Sequence, residues 1–443
     1  MSLLKSSRTL RQRAFAVRCA AFLALVLALA GAVVPARVLA QSSPTAVDAG
    51  APDSMPASLK LWHTFPADSP QEALLAEAVR EFEAARKGVS VDVTRIPYLQ
   101  NLQQFINSAQ GGEAPDLIRL SDTEVGKIGH ISVEGLPLLE DLRPHLTPAQ
   151  RAHYEPRSLA AMRYGEPLFA LPVSQGCLAL LYNKSLFDAA GVSYPRSDWT
   201  TADLLAAATA LTQGEVRGIS LPLKWSYWFL PFQWGFGAGP FDEAGNVTLD
   251  SPGTDTAVEW FLDLDRIHGV VASGVSLEAM STQFQLGKAA MVLDGPWAWN
   301  RYVEAGLDIG LAVMPTVEST GLRLAPMLSY FGWGVSKQSA HKVEASALAR
   351  WLTSDTVQKR YALSSNMLPV QESLLEDPEI LANPVLAGFL EQTAYGRTVP
   401  TNRASAMLFE QLDTALDLSH SGKMATTEAL AAADAELEKR LSQ

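Results

Sequence analysis

The sequence predicts an α/β fold, and three observations carry that expectation. Strand-like stretches with alternating polarity and helix-like stretches with a 3.6-residue period follow one another along most of the chain. The 443 residues suffice for two or three domains, and 48% hydrophobic against 19% charged residues can fill a sizeable core. Of the two cysteines, Cys19 and Cys177, only Cys177 lies beyond the first forty residues, so the core and not an internal disulfide holds the molecule together.

The N-terminus reads as a secretory signal peptide over residues 1–40. Lys5, Arg8, Arg11, Arg13 and Arg18 form a basic start, an apolar run extends from Cys19 to Val34, and Val38-Leu39-Ala40 offers a small-residue cleavage site. The run is shorter than the ~20 residues of a spanning helix. Cys19 opens the run instead of closing it, which does not support a lipoprotein signal. Cleavage takes six basic and no acidic residues from a chain with 35 basic and 47 acidic ones, leaving a formal charge of −18. So acidic a chain does not hold nucleic acid or anionic lipid by bulk charge. Residues 41–58, rich in Ser, Pro and Ala, read as a disordered leader.

Order is expected from "LKLWHTF" (59–65), an alternating strand. A helix follows, with Ser69 as cap, Pro70 in its first turn, Glu72 completing a capping box and Gly88 ending it; Leu74, Leu75, Ala78, Val79 and Phe82 form its apolar face. "VSVDVTRI" is a second strand, and "GGEAPDLIRL" is a loop entering a third. The run 166–183 is β-like and broken near Ser174 to Gly176, where it can pass between domains. Helices are expected at 200–213, 254–268 and 341–362, a strand with glycines at 325–336, and an amphipathic helix at 425–441. The alternation argues for largely parallel sheets.

Catalytic and metal motifs are missing. The seven histidines show no H-E-x-x-H or other tight ligand spacing, and there is no G-x-S-x-G elbow or Walker A loop. Gly235, Gly237 and Gly239 do not have dinucleotide-loop spacing. Cys177 sits among apolar residues and reads as a small buried hydrophobe. No particular pair of carboxylates stands out as a glycosidase pair. No catalytic residue, metal or cofactor is expected. What stands out is aromatic clustering at element ends. Trp62 and Phe65; Trp225, Tyr227, Trp228 and Phe229; Trp297 and Trp299; and Tyr330, Phe331 and Trp333 each lie beside a proline or glycine. Flat aromatic faces cover the CH face of a sugar ring while neighbouring polar groups bond its hydroxyls.

The stretch 284–299, "FQLGKAAMVLDGPWAW", resembles the most distinctive block of the maltose-binding-protein-like group of extracellular solute-binding proteins of ABC transporters (family 1). "LKLWHTF", "APDLIRLSD", "LFALPVSQGCLALLYNKSLFDAAGV" followed by "SDWTTADLLAAA", and "MLPVQESLLEDPEI" support it, in the expected order over roughly residues 59–443. The resemblance implies a two-lobed periplasmic-binding-protein fold (type II) with crossing hinge segments. Lobe 1 would take 59–174 plus 331–374 and lobe 2 would take 175–330 plus 375–443. Closure about the hinge would bury the ligand and present the closed form to a membrane permease.

Carried over residue by residue, the resemblance makes Trp297 the stacking tryptophan, in a block that includes Asp294. It makes Trp62, His63, Thr64 and Phe65 the first ligand loop, Tyr227 a stacking aromatic with Trp225 and Trp228 beside it, and Phe409 a further aromatic position. Thr123 and Glu124, next to Asp122, stand where maltose binders of this group carry an Asp-Arg pair, and Gly176, beside Gln175, stands where they carry a hinge acid. Tyr330, Trp333 and Arg403 complete the expected ligand-binding set. Trp299 is expected to be structural. The aromatic platform is kept and the polar set is changed, so an oligosaccharide or glycoside other than maltose is the favoured ligand. The expected partners are that carbohydrate and ABC transporter permease subunits, with no nucleic acid; the protein is expected to be a periplasmic or otherwise secreted monomer. Two other readings remain: a protein of the same fold that carries a non-sugar solute or feeds a sensor, and a secreted carbohydrate-active enzyme.

Overall fold

The computed structural model describes residues 56–441. The expected signal peptide and most of the expected leader lie outside the described residues. Ala57 and Ser58, expected in the leader, instead belong to the first strand and pair with Val89 and Ser90. The strands are β1 Ala57–His63, β2 Val89–Arg95, β3 Leu117–Ser121, β4 Ser132–Val133, β5 Leu136–Pro137, β6 Ala170–Gly176, β7 Ala179–Asn183, β8 Arg217–Ser220, β9 Ala289–Asp294, β10 Ile309–Ala312 and β11 Ser329–Val335. They build a five-stranded sheet in the order β2-β1-β3-β11-β6 and a four-stranded sheet in the order β10-β7-β9-β8, with β4-β5 as a small hairpin.

The sheets are mixed and not largely parallel. β1 runs parallel to β2 and β3, and β8 runs parallel to β9, as helical crossovers require. β11 is antiparallel to both β3 and β6, and β7 is antiparallel to β9 and β10. The reason lies in the crossings. β11 arrives in the first sheet directly from the second, and β7 enters the second directly from the first, so no right-handed βαβ unit sets their direction. The break expected near Ser174 to Gly176 falls at Cys177–Leu178, both wholly buried, because Gln175 and Gly176 still pair with Tyr330 and Ser329.

Helix signals translate well. Pro70–Ala85 starts at Ser69, whose hydroxyl accepts the Glu72 N–H; the Glu72 carboxylate takes the N–H of Asp68, one residue earlier than a capping box would place it. Thr201–Leu211 and Pro252–Arg266 start at Thr200 and Ser251 side-chain caps. The helix expected at 341–362 is two, Lys342–Leu352 and Asp355–Ser365. Thr353 interrupts it: its hydroxyl pairs with Tyr154 Oη at 2.6 Å and its carbonyl accepts from Gln371 at 2.9 Å. Those bonds are tertiary, and periodicity does not reveal them. The tail helix is Thr426–Leu441. No described helix is long and apolar enough to cross a membrane.

Close approach of helix to strand decides one glycine. A Cβ on Gly218 of β8 would lie 2.0 Å from the Ala208 carbonyl oxygen, whereas at Gly191 (φ +65°) it would meet nothing. Gly218→Ala is therefore expected to destabilise by about 3 kcal/mol through backbone displacement, and Gly191→Ala by about 1 kcal/mol through its left-handed φ. Urea unfolding midpoints of the two variants check the order.

Candidate functional site

Register brings the ends of both sheets to one place. Gly176 pairs with Ser329, and three residues later Ala179 pairs with Asp294. The C-terminal ends of β1, β3, β6 and β9 and the N-terminal ends of β7 and β11 therefore face a common region, the position at which open α/β sheets place ligands. β3 leads straight into the helix Asp122–Ile128, and β9 leads through Gly295 into the helix Pro296–Glu304.

Two aromatic faces lie open here on the four-stranded sheet's side. Trp297 is 49% exposed and Trp225 is 41% exposed. The rim of the Trp297 indole rests on Gly176, where a Cβ would come within 3.0 Å of Cζ3. Pro296 in the first helical turn directs that indole back across the chain crossing. Tyr227 is half-buried and packs edge-on to Trp228, with ring centroids 5.2 Å apart. Burial pushes its hydroxyl pKa far up, and the charges of Asp122 from one sheet and Asp294 from the other push it further. Trp299 is half-buried and faces away, lining a cavity of about 520 Å³ with Lys184, Ile309 and Glu391 at the β10 edge.

On the five-stranded side the first loop is built around His63. Its Nδ1 accepts the Phe65 N–H at 3.2 Å and its Nε2 lies 3.7 Å from Glu72. The ring is 1% exposed, and burial holds its pKa down at about 4 against the pull of Glu72. Trp62 and Thr64 are half-buried and Phe65 is buried.

Several expected ligand groups are engaged by the protein itself. Asp294 accepts from Gly295 N–H at 2.8 Å, Tyr302 Oη at 2.5 Å and Ser281 Oγ at 3.4 Å, and it is 1% exposed. Its carboxylate fixes the turn beneath Trp297 and is not offered to solvent. Glu124 completes a capping box with Ser121 and also accepts from Asn101. Gln175 donates to the Pro369 carbonyl at 2.9 Å. Trp228 donates its indole N–H to the Leu293 carbonyl at 2.8 Å and is core. Tyr330 and Trp333 are core as well, 0% and 1% exposed, because β11 is an interior strand. Their aromatic character signalled packing, and the glycines around them let β11 lie between two neighbours.

Asp122 is buried beneath the helix start; burial raises its pKa to about 7, and the Thr123 N–H at 2.9 Å opposes that rise. Thr123 is half-buried, with its hydroxyl 3.0 Å from Ser121 Oγ. Arg403 and Phe409 are half-buried on the helix Arg403–His420. The loop before that helix seals against Asp122–Ile128: Asp122, Thr123, Gly126, Thr401 and Asn402 enclose about 10 Å³, room for one water. Thr401 Oγ1 also bonds the Ala161 carbonyl at 2.9 Å. Admission of anything larger at that point requires these segments to part.

Sequence reasoning missed Arg119 and Tyr98. Arg119 lies in β3 between Phe65 and Phe331, its guanidinium carbon 4.4 Å and 3.9 Å from their ring centroids. Tyr98, 45% exposed, flanks Phe331 at 6.1 Å. A single charge inside the otherwise apolar run "LIRL" (117–120) was the available signal for Arg119. Among the described residues no group of three or more His, Cys, Asp or Glu could hold a metal ion.

Two variants test this placement. Trp228→Ala is expected to cost about 4 kcal/mol as a core cavity, read from denaturant unfolding. His63→Gln tests the buried imidazole. The folded pKa of about 4 lies below the ordinary 6.5, so the neutral ring's contribution is complete above pH 6.5 and is lost as pH falls toward 4. The stability gap between the parent protein and His63→Gln should shift in the variant's favour over that window by about 3 kcal/mol, measured by urea unfolding at stepped pH.

Comparison with known proteins gives a consistent picture. The family model described as bacterial extracellular solute-binding protein matches residues 67–359, about two-thirds of the chain. The maltotriose-binding protein of Pyrococcus abyssi is 25% identical over 366 residues, covering 81% of this chain and 76% of that protein. The galactooligosaccharide-binding protein of Bacillus subtilis is 22% identical, covering 80% of this chain and 84% of that protein. Among solved structures, the GacH receptor of Streptomyces glaucescens, determined unliganded and with acarbose, superposes with a TM-score of 0.78 at 25% identity, covering 87% of this chain and 98% of that one.

Proposed function

Because the chain belongs to the bacterial extracellular solute-binding proteins, we propose that it captures an oligosaccharide or glycoside outside the cytoplasmic membrane and delivers it to an ABC import permease. The observation that carries this reading is the pair of exposed tryptophans, Trp225 and Trp297, the latter resting on Gly176 beside the chain crossing. Indole faces of that kind stack on sugar rings. The saccharides named for the relatives agree with it. In this reading one lobe is built on the five-stranded sheet and the other on the four-stranded sheet. The ligand-contacting set draws on Trp62, Thr64, Thr123, Trp225, Tyr227, Trp297, Arg403 and Phe409. The lobes part at the 399–405 segment to admit the sugar and close over it.

The protein acts as a periplasmic or secreted monomer after loss of residues 1–40, binds no nucleic acid, and returns the sugar intact.

A thermal-shift screen of the mature protein against a saccharide panel is the direct test. A ligand at 100 times its dissociation constant adds about 2.7 kcal/mol of stability. No shift with any saccharide would overturn the proposal. With a ligand found, Trp297→Ala should weaken binding by about 10- to 100-fold in calorimetric titration, with little change in the ligand-free melting temperature. Small-angle scattering should show a smaller radius of gyration with ligand than without.

A further inference from the structure

The buried guanidinium of Arg119 points to the ligand's chemistry. Arg119 is 7% exposed. Phe65 covers one face of its guanidinium and Phe331 contacts it at 3.9 Å. Nη1 donates to Thr64 Oγ1 at 2.7 Å, and Nε is buried without a partner. Among the described residues no close ion pair joins it to a carboxylate; the charge of Glu124 acts on it, and burial outweighs that pull. A buried charge normally has an opposite charge and satisfied donors, because removing it from water otherwise costs several kcal/mol. Burial accordingly pushes the Arg119 pKa down to about 10.

The carboxylates nearby do not fill the gap. Glu124 accepts from Ser121 N at 2.7 Å, Ser121 Oγ at 2.9 Å and Asn101 Nδ2 at 3.3 Å. Asp294 is saturated by Gly295, Tyr302 and Ser281. Asp122 accepts from Thr123. His63 on the neighbouring strand is held neutral at ordinary pH. Aromatic rings occupy the guanidinium's faces, so what it can still offer is its edge. An edge-on guanidinium takes a carboxylate with two parallel hydrogen bonds, a geometry that an ammonium does not reproduce. Its hydrogen-bonded neighbour Thr64 belongs to the loop that leaves β1 at the end facing the chain crossing.

We propose that Arg119 is a specificity-determining residue and that the captured saccharide carries a carboxylate, as uronate-containing oligosaccharides do. The proposal rests on the carbohydrate-capture reading above and narrows it. The opening of the 399–405 segment brings the sugar's acidic group past Thr64 to the guanidinium edge, while Trp225 and Trp297 take ring faces from the other side.

The test compares uronate oligosaccharides of two to four residues with the same oligosaccharides after carboxyl reduction, by calorimetric titration of the mature protein. The uronates should bind more tightly than their reduced counterparts by about 10- to 100-fold, the worth of a charge-assisted hydrogen-bonded pair. Arg119→Met keeps an apolar stem between the two phenyl rings and should abolish that preference. Arg119→Lys, which keeps the charge and loses the fork, should retain part of it. The ratio of the two affinities is the decisive readout, because a purely structural Arg119 would weaken both ligands alike. Raised salt should reduce uronate binding to the unmodified protein and leave the reduced sugar unaffected, which tests the charge with no variant at all. Equal binding of uronate and reduced sugar, or a preference that survives in Arg119→Met, would overturn the inference and leave carbohydrate capture standing. Failure of every saccharide, acidic or neutral, would remove both.

Discussion

Gly176 and Ala179 are separated by three peptide steps of about 3.8 Å each, yet one pairs in the five-stranded sheet and the other in the four-stranded sheet. That short span constrains much of the molecule. It forces Ser329, opposite Gly176, and Asp294, opposite Ala179, into one neighbourhood. The crossing is not a solvated linker, since Cys177 and Leu178 are wholly buried. Whatever moves one sheet against the other must therefore pivot on packed residues. The mixed strand directions follow from the same constraint, because β7 and β11 are entered from the other sheet and not from a crossover helix.

Around the crossing, the buried polar groups divide into those that hold turns and those that remain available. Asp294 ties down Gly295 and so sets where Pro296 and Trp297 begin their helix. Glu124 closes the cap on the helix after β3. Such carboxylates are satisfied within the protein, as burial demands, and their contribution to a site is geometric. Arg119 is the contrasting case: two aromatic contacts, one hydroxyl and the charge of Glu124 act on a guanidinium whose Nε has no hydrogen-bond partner. The same Phe331 that touches Arg119 lies on β11 at a register shift, so the cation is joined to a strand that also carries the chain between sheets.

The loop ahead of the helix Arg403–His420 supplies a second contact between the regions. It meets the helix Asp122–Ile128 across a space that admits one water, and Thr401 anchors it to the Ala161 carbonyl.

Local patterns in the chain determined the α/β class, the helix capped at Ser69, the helices near 200–213 and 254–268, and the helical tail. Each depends on spacing or capping within a few residues. The "DGPWAW" block likewise marked the open face of Trp297, because a proline in a first helical turn sets direction locally. Tertiary structure alone decided the rest. Tyr330, Trp333 and Trp228 became core, and Trp225 became surface, although all four sit beside glycine or proline in the sequence. Thr353 split an otherwise continuous helix through bonds to Tyr154, distant along the chain, and to Gln371. Glu124 was readable as the end of a capping box opened by Ser121, and Asp294 is held by Gly295, Tyr302 and Ser281, close to it in the chain. The physical reason is common to these cases. Exposure and hydrogen-bond satisfaction depend on which neighbours the fold brings within about 3 Å, and strand pairs such as Gly176 with Ser329 draw some of those neighbours from segments more than a hundred residues apart.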